Sequence, residues 1–152
     1  MANCYFVKKV AVAIMDGNYL LRTEDAGASW QIVSPKIKAG FTRVAFNSKG
    51  QGWAVGENGS FYHSLDRAKT WQKVNDLPPD LLHCDWSGIN FADGRFGIVV
   101  GNNGVIATTK DGGTTWIKTK PSIQENLRSV YLQNHKGLIT GEQTVYRLTA
   151  LE

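Results

Sequence analysis

Apolar and polar residues alternate along this chain in short bursts that recur at a fixed interval. Phe41-Thr42-Arg43-Val44-Ala45-Phe46 is a run rich in aromatic and β-branched residues, closed by the turn-forming Asn47-Ser48-Lys49-Gly50. Trp53-Ala54-Val55 follows as a continuous apolar run, the pattern of a strand buried on both faces. Glu57-Asn58-Gly59 predicts a hairpin turn, because Asn-Gly readily takes the positive φ angles of tight hairpins. Ser60 to Ser64 predicts a third strand and Thr70 to Val74 a fourth. The same order returns at Trp86–Phe91, Gly97–Val100, Val105–Thr109 and Thr115–Lys118. Helix signals are sparse: Pro79–His83 and Ile123–Asn126 each predict one turn between repeats.

The recurrence is fixed by one eight-residue pattern. Thr109-Lys110-Asp111-Gly112-Gly113-Thr114-Thr115-Trp116 has counterparts in Thr23 to Trp30 and, in worn form, Ser64 to Trp71. Each carries Ser or Thr, Asp two residues on, a small residue, Ser or Thr, and Trp. The aspartates stand 41 and 45 residues apart, a period that signals a repeat architecture. Gly56-Glu57-Asn58-Gly59 and Gly101-Asn102-Asn103-Gly104 keep the same phase, and Gly141-Glu142-Gln143-Thr144 is the corresponding member of a fourth, incomplete repeat. The expected fold is therefore all-β, with β-propeller-type blades of four antiparallel strands and about four repeats. The whole chain, 1–152, reads as one such domain with repeats near 1–34, 35–76, 77–120 and 121–152. A β-sandwich would give short strands too, but no reason for Asp, Gly and Trp to recur in register.

The pattern itself predicts a structural turn. An Asp carboxylate there accepts hydrogen bonds from its own loop, Gly permits a positive φ, and Trp packs between neighbouring elements. Asp25, Asp66 and Asp111, with Trp30, Trp71, Trp116 and Gly113, are thus read as loop staples rather than catalytic or metal-binding groups. Lying in successive blades, the three carboxylates cannot pool. Ala68 stands where the other copies have Gly27 and Gly113. A left-handed backbone there would cost Ala about 1 kcal/mol, so Ala68→Gly is expected to stabilise the protein.

Composition removes several function classes. Hydrophobic content of 42% and charged content of 20% are globular values. The formal charge of +4 comes from 17 basic and 13 acidic residues with no basic run beyond two, which argues against a nucleic-acid stripe. No apolar stretch has the length of a membrane span, and no signal peptide is visible at the N-terminus. Cys4 and Cys84 have no metal-ligand spacing, and nothing requires them to pair. His63, His83 and His135 are isolated, and no Ser or Cys has a placed base. No catalytic residue, metal or cofactor is expected.

Gly52-Trp53-Ala54-Val55-Gly56 with Asn58-Gly59, and Val100 through Trp116, resemble the photosystem II stability/assembly factor family of Asp-box (BNR-type) repeat β-propellers. Family members are about twice as long and close a seven-bladed ring, so this chain corresponds to roughly half a propeller. The resemblance implies a non-enzymatic protein-binding or assembly scaffold with a protein or peptide partner, in an extracytoplasmic or lumenal compartment. It also implies a basic patch near the start of the innermost strand, a phase that Arg43 and Arg128 share at 85 residues' separation. Two solvated strand-end arginines remain the other reading of that pair. One alternative function is a sialidase-like or glycan-cleaving hydrolase, because Asp boxes decorate such propellers. Cleavage would need paired carboxyl groups, and the acids outside the boxes show no recurrent pairing. A third reading is an oligomerisation module: open blades expose sheet faces, and two copies would close a larger ring. Closure of four blades alone, with Asn3 to Val7 as the missing outer strand of the last blade, is the competing geometry.

Overall fold

The computed structural model describes residues 4–7, 9–34, 40–119, 123–134 and 136–149, with residues 4–7 as backbone only. It is all-β. Among the described residues, fifteen strands form four antiparallel sheets in chain order, and two short 3₁₀ turns are the helical content. The first sheet holds β1 (Cys4–Val7), β2 (Val10–Met15), β3 (Tyr19–Thr23) and β4 (Gln31–Ile32). The second holds β5 (Phe41–Phe46), β6 (Gly52–Gly56), β7 (Phe61–Ser64) and β8 (Gln72–Lys73). The third holds β9 (Trp86–Phe91), β10 (Gly97–Gly101), β11 (Ile106–Thr109) and β12 (Ile117–Thr119). The fourth has three strands, β13 (Leu127–Gln133), β14 (Lys136–Gly141) and β15 (Val145–Leu148). Each sheet is a meander, so each is one propeller blade.

The apolar runs find their places for a simple reason. Every residue of β6 and of β10 is buried, because the second strand of an inner blade lies between neighbouring sheets on both faces. One rung recurs in three blades: Phe46 faces Gly52, Phe91 faces Gly97 and Leu132 faces Gly137. A Cβ at Gly52 would lie 2.6 Å from the Phe46 ring, and at Gly97 2.5 Å from the Phe91 ring. The large side chain lies across its glycine partner, which therefore cannot be substituted without moving a core ring. Asn58 and Gly59, at φ 52° and 71°, form the predicted hairpin turn.

Among the described residues three clusters, one per junction, make up the core. Val12, Ile14 and Leu20 of the first blade meet Val44, Phe46, Tyr62 and Trp71 of the second. Trp53 and Phe61 meet Trp86, Phe91 and Trp116 across the next junction, with Trp53 and Phe91 centroids 4.4 Å apart. Ile98, Val100 and Ile106 meet Leu127, Val130, Leu132 and Ile139 across the third. Polar links cross the same junctions. Thr42, the extra residue of a bulge in β5, donates its hydroxyl to Trp86 O at 2.6 Å, and Ser87, in the same bulge of β9, donates to Leu127 O. The Asn58 amide is closed by Asp85 at 2.8 Å and the Asn103 amide by Asn126 at 3.0 Å, each from the following blade.

Three local expectations change. Ile123–Asn126 is not helical; a 3₁₀ turn forms instead at Asn102–Gly104, with Asn103 at φ 55°. The fourth strands are shorter than predicted, because Trp71 and Trp116 turn inward ahead of β8 and β12. β1 pairs with β2 as the innermost strand of its own blade, so it does not complete the last one; Asn3 lies outside the described residues. Cys84 is a free, half-buried thiol, and the Cys4 side chain lies outside the described residues.

Candidate functional site

The three loops of the recurrent pattern share one hydrogen-bond network. In the third, Thr109 donates to Asp111 Oδ1 at 2.8 Å and accepts from the Gly113 amide at 2.8 Å. Asp111 also accepts the Thr115 amide at 2.9 Å and the Thr115 hydroxyl at 2.6 Å. Thr23, Asp25, Gly27 and Ser29 repeat these bonds, as do Ser64, Asp66, Ala68 and Thr70. Hydrogen bonds from Ser29 and then Thr23 hold Asp25 well below the usual carboxylate range. Burial pushes Asp66 upward, but bonds from Thr70, Ser64 and Lys69 outweigh it and leave the group at about 2. Burial opposes the same effect at Asp111, where Thr115 and Thr109 prevail. An ionised carboxylate whose acceptor sites are filled by its own loop has little left to offer a substrate.

The tryptophans differ by blade. Trp71 and Trp116 are 7% and 3% exposed and pack on the preceding blade, whereas Trp30 is 39% exposed. Trp30 donates its indole N–H to Gly27 O at 3.2 Å. The small residue of the loop matters in the same junction. A Cβ on Gly113, at φ 89°, would lie 2.5 Å from Trp53 Cε2 and 2.9 Å from Nε1, with Cζ2 closer still. Ala68 is left-handed as expected, at φ 64°, yet its methyl is fully buried in the cluster containing Val12. Val12 occupies in the first blade the rung that Trp53 occupies in the second. A smaller wall thus leaves space for a larger loop residue.

The ladders separate the two predicted arginines. Arg43 pairs with Val55, and the same rung holds Gly88 in the third blade and Ser129 in the fourth. Arg128 is instead the bulge residue, matching Thr42 and Ser87. The bulge recurs in all three of these inner strands, and Thr42 and Arg128 lie 86 residues apart, so an 85-residue offset lands one position off in register. Arg128 is exposed and ion-paired with Glu142. Arg43 is half-buried, donates to Thr42 O at 2.9 Å, and has no ion-pair partner among the described residues.

Arg43 lines a cleft of about 600 Å³ between the first two blades, with Ile14, Met15, Asp16, Gly17, Phe41 and Thr42. Ile14, Met15 and Phe41 give it apolar lining, Thr42 a hydroxyl, and Arg43 and Asp16 one charge of each sign. A second cleft, of about 450 Å³, lies between His83, Cys84, Asp85, Asn102 and Lys118. Among the described residues no three His, Cys, Asp or Glu side chains group as a metal site, and no helix is long and apolar enough to cross a membrane.

A residue that sequence reasoning missed is Arg22, 7% exposed on β3. Its Nε donates to Arg67 O at 2.8 Å and its Nη1 reaches Glu24 at 2.5 Å, tying the first blade to the loop of the second. The only signal in the chain was a charge within an otherwise apolar strand, Leu20-Leu21-Arg22.

The family model for photosynthesis system II assembly factor YCF48 matches residues 82–150. No curated protein sequence matches. Among solved structures, YCF48 from Cyanidioschyzon merolae superposes with a TM-score of 0.74 at 18% identity, over 99% of this chain and 53% of that one. A structure of YCF48 bound to D1 peptide gives 0.64 at 14% identity, over 97% and 62%. An ancestral GH74 enzyme gives 0.76 at 15% identity, over 93% and 21%. This chain spans little more than half the length of the two YCF48 chains.

Proposed function

We propose that this chain, a BNR-repeat propeller of the photosystem II assembly factor-like type, is a non-catalytic scaffold that binds an extended peptide in the cleft between its first two blades. The observation that carries the reading is the presence, in one cleft, of the apolar Ile14, Met15 and Phe41 with Arg43, a cation without an ion-pair partner among the described residues. Rigid sheets hold such a cleft at low cost in ordering, which suits recognition of a flexible segment. A carboxylate on the peptide would find in Arg43 a planar, permanently charged donor fork. The likeness to a structure of YCF48 bound to D1 peptide supports a peptide as the ligand class. The loop carboxylates support a scaffold over a hydrolase, since each is saturated within its own turn and none faces another.

The test uses fluorescence anisotropy with a labelled D1 peptide and with an acidic peptide of scrambled sequence. Binding should weaken at least about tenfold in Arg43→Glu, the effect of losing a charge-assisted hydrogen bond. Arg128→Glu, which removes an arginine already paired, should change little. Binding unaffected by Arg43→Glu would move the site elsewhere. The GH74 likeness keeps a glycan-cleaving reading in view, and release of reducing ends from xyloglucan by the purified chain would overturn the scaffold.

A further inference from the structure

The geometry points to head-to-tail assembly of two copies of this chain, the outer face of the fourth blade seating on the outer face of the first blade of its partner. The inference starts from rungs. Leu138 occupies in the fourth blade the rung of Val12, Trp53 and Ile98 in the other three, each of which packs against the next blade. Val145 likewise matches Phe61 and Ile106. Here nothing follows among the described residues. Tyr131, Leu138 and Val145 are 57%, 46% and 62% exposed on one sheet face.

The face that fits them is on the same chain. Trp71 and Trp116 each lie on the preceding blade, Trp116 edge-on to Phe61 at 5.3 Å. Trp30 is their counterpart and has no preceding blade among the described residues. Beside it Ile32 is 60% exposed, and Met15 and Tyr19 are exposed as a cross-strand pair. Among the described residues, the substantial contacts between sheets run only between successive ones. The described residues therefore present, without a neighbouring blade, both halves of the junction that they form three times internally. The occupant of each half is the other half of a second copy. A two-fold axis through the ring centre would produce two identical junctions and a closed eight-bladed ring.

A polar feature agrees. Arg22 reaches from its blade to Arg67 O in the next loop, and Arg147 stands on the same rung, opposite Leu138 as Arg22 stands opposite Val12. Ala26, at φ 60°, is the match of Arg67. Arg147 of one copy would donate to Ala26 O of the other. The hairpin amide of Gln143 is already closed by Glu125 of its own blade at 2.7 Å, so the junction uses the sheet faces rather than this loop.

Sedimentation equilibrium of the purified chain tests this directly. Two copies, twice 16.8 kDa, are expected, whereas a single-copy mass or anything beyond two copies overturns the closed pair. Leu138→Glu and Ile32→Glu, on opposite faces, should each give a single-copy mass with unchanged far-ultraviolet circular dichroism. If either variant stays paired, the contact is not head-to-tail. Arg147→Ala should weaken association roughly tenfold or more, and unchanged association would remove the arginine from the junction.

Discussion

Gly113→Ala should be among the most damaging single methyl additions to this protein, and the reason is one ring in another blade. Two costs combine. The residue sits at φ 89°, where Ala is strained by about 1 kcal/mol. Its Cβ would also overlap Trp53 within 2.5 Å of Cε2, and that ring is 2% exposed and stacked on Phe91, so it has nowhere to go. Overpacking of this kind costs about 1–3 kcal/mol. The sum, about 2–4 kcal/mol, should lower the urea midpoint by about 1–2 M. A double-mutant cycle with Trp53→Val separates the costs. Val12 stands opposite Ala68 one junction earlier, so valine in place of Trp53 reproduces a wall that accepts an alanine. Trp53→Val is itself destabilising, but on that background Gly113→Ala should cost only the backbone part. The expected coupling is about 1–3 kcal/mol, read by circular dichroism across equilibrium unfolding. Equal cost of Gly113→Ala in both backgrounds would refute the reasoning.

Arg67→Gly should raise the melting temperature by roughly 2–4 °C, because it relieves φ 60° at an exposed side chain while Arg67 O stays available to Arg22. Ala68→Gly should be close to neutral, since about 1 kcal/mol of relieved strain is offset by a buried methyl worth about 0.8 kcal/mol; a gain beyond a few degrees would show the methyl to be dispensable. Thr42→Val should cost about 1–2 kcal/mol in chemical unfolding, as Trp86 O loses its hydroxyl partner across a junction. Asp66 sits at about 2 in the folded chain against an ordinary value near 3.9 when unfolded. Its contribution is complete above about pH 4 and lost as pH falls through about 2. Asp66→Asn should therefore be less stable at neutral pH and show a flatter loss of stability between about pH 4 and 2.

The fold was legible because the repeats are punctuated by residues with backbone duties. Asp and Gly of the loops, Asn58-Gly59 of the hairpin and the all-apolar β6 and β10 each encode a local geometry, and their common phase encodes the architecture. The candidate site was legible only in part. Arg43 could be picked out, but its match to Arg128 failed because the step from the inner strand of the third blade to that of the fourth is 41 residues rather than 40, a difference only the strand ladders reveal. Trp71 and Trp116 could be recognised as core residues from their copies. That Trp30 stands open instead depends on which sheets are neighbours, which no single repeat records. Arg22 went unnoticed for the opposite reason: its partner across the junction is a backbone carbonyl, and carbonyls leave no mark in a sequence.

The rims of the first three blades carry one more consequence. β4 and β8 are two residues long and β12 three. So short a ladder presents too few free backbone groups to recruit a foreign strand, which guards these edges against fibril-like stacking. It also leaves the rim amides with little to protect them, so hydrogen exchange should spread inward from the circumference, with β6 and β10 the last to yield.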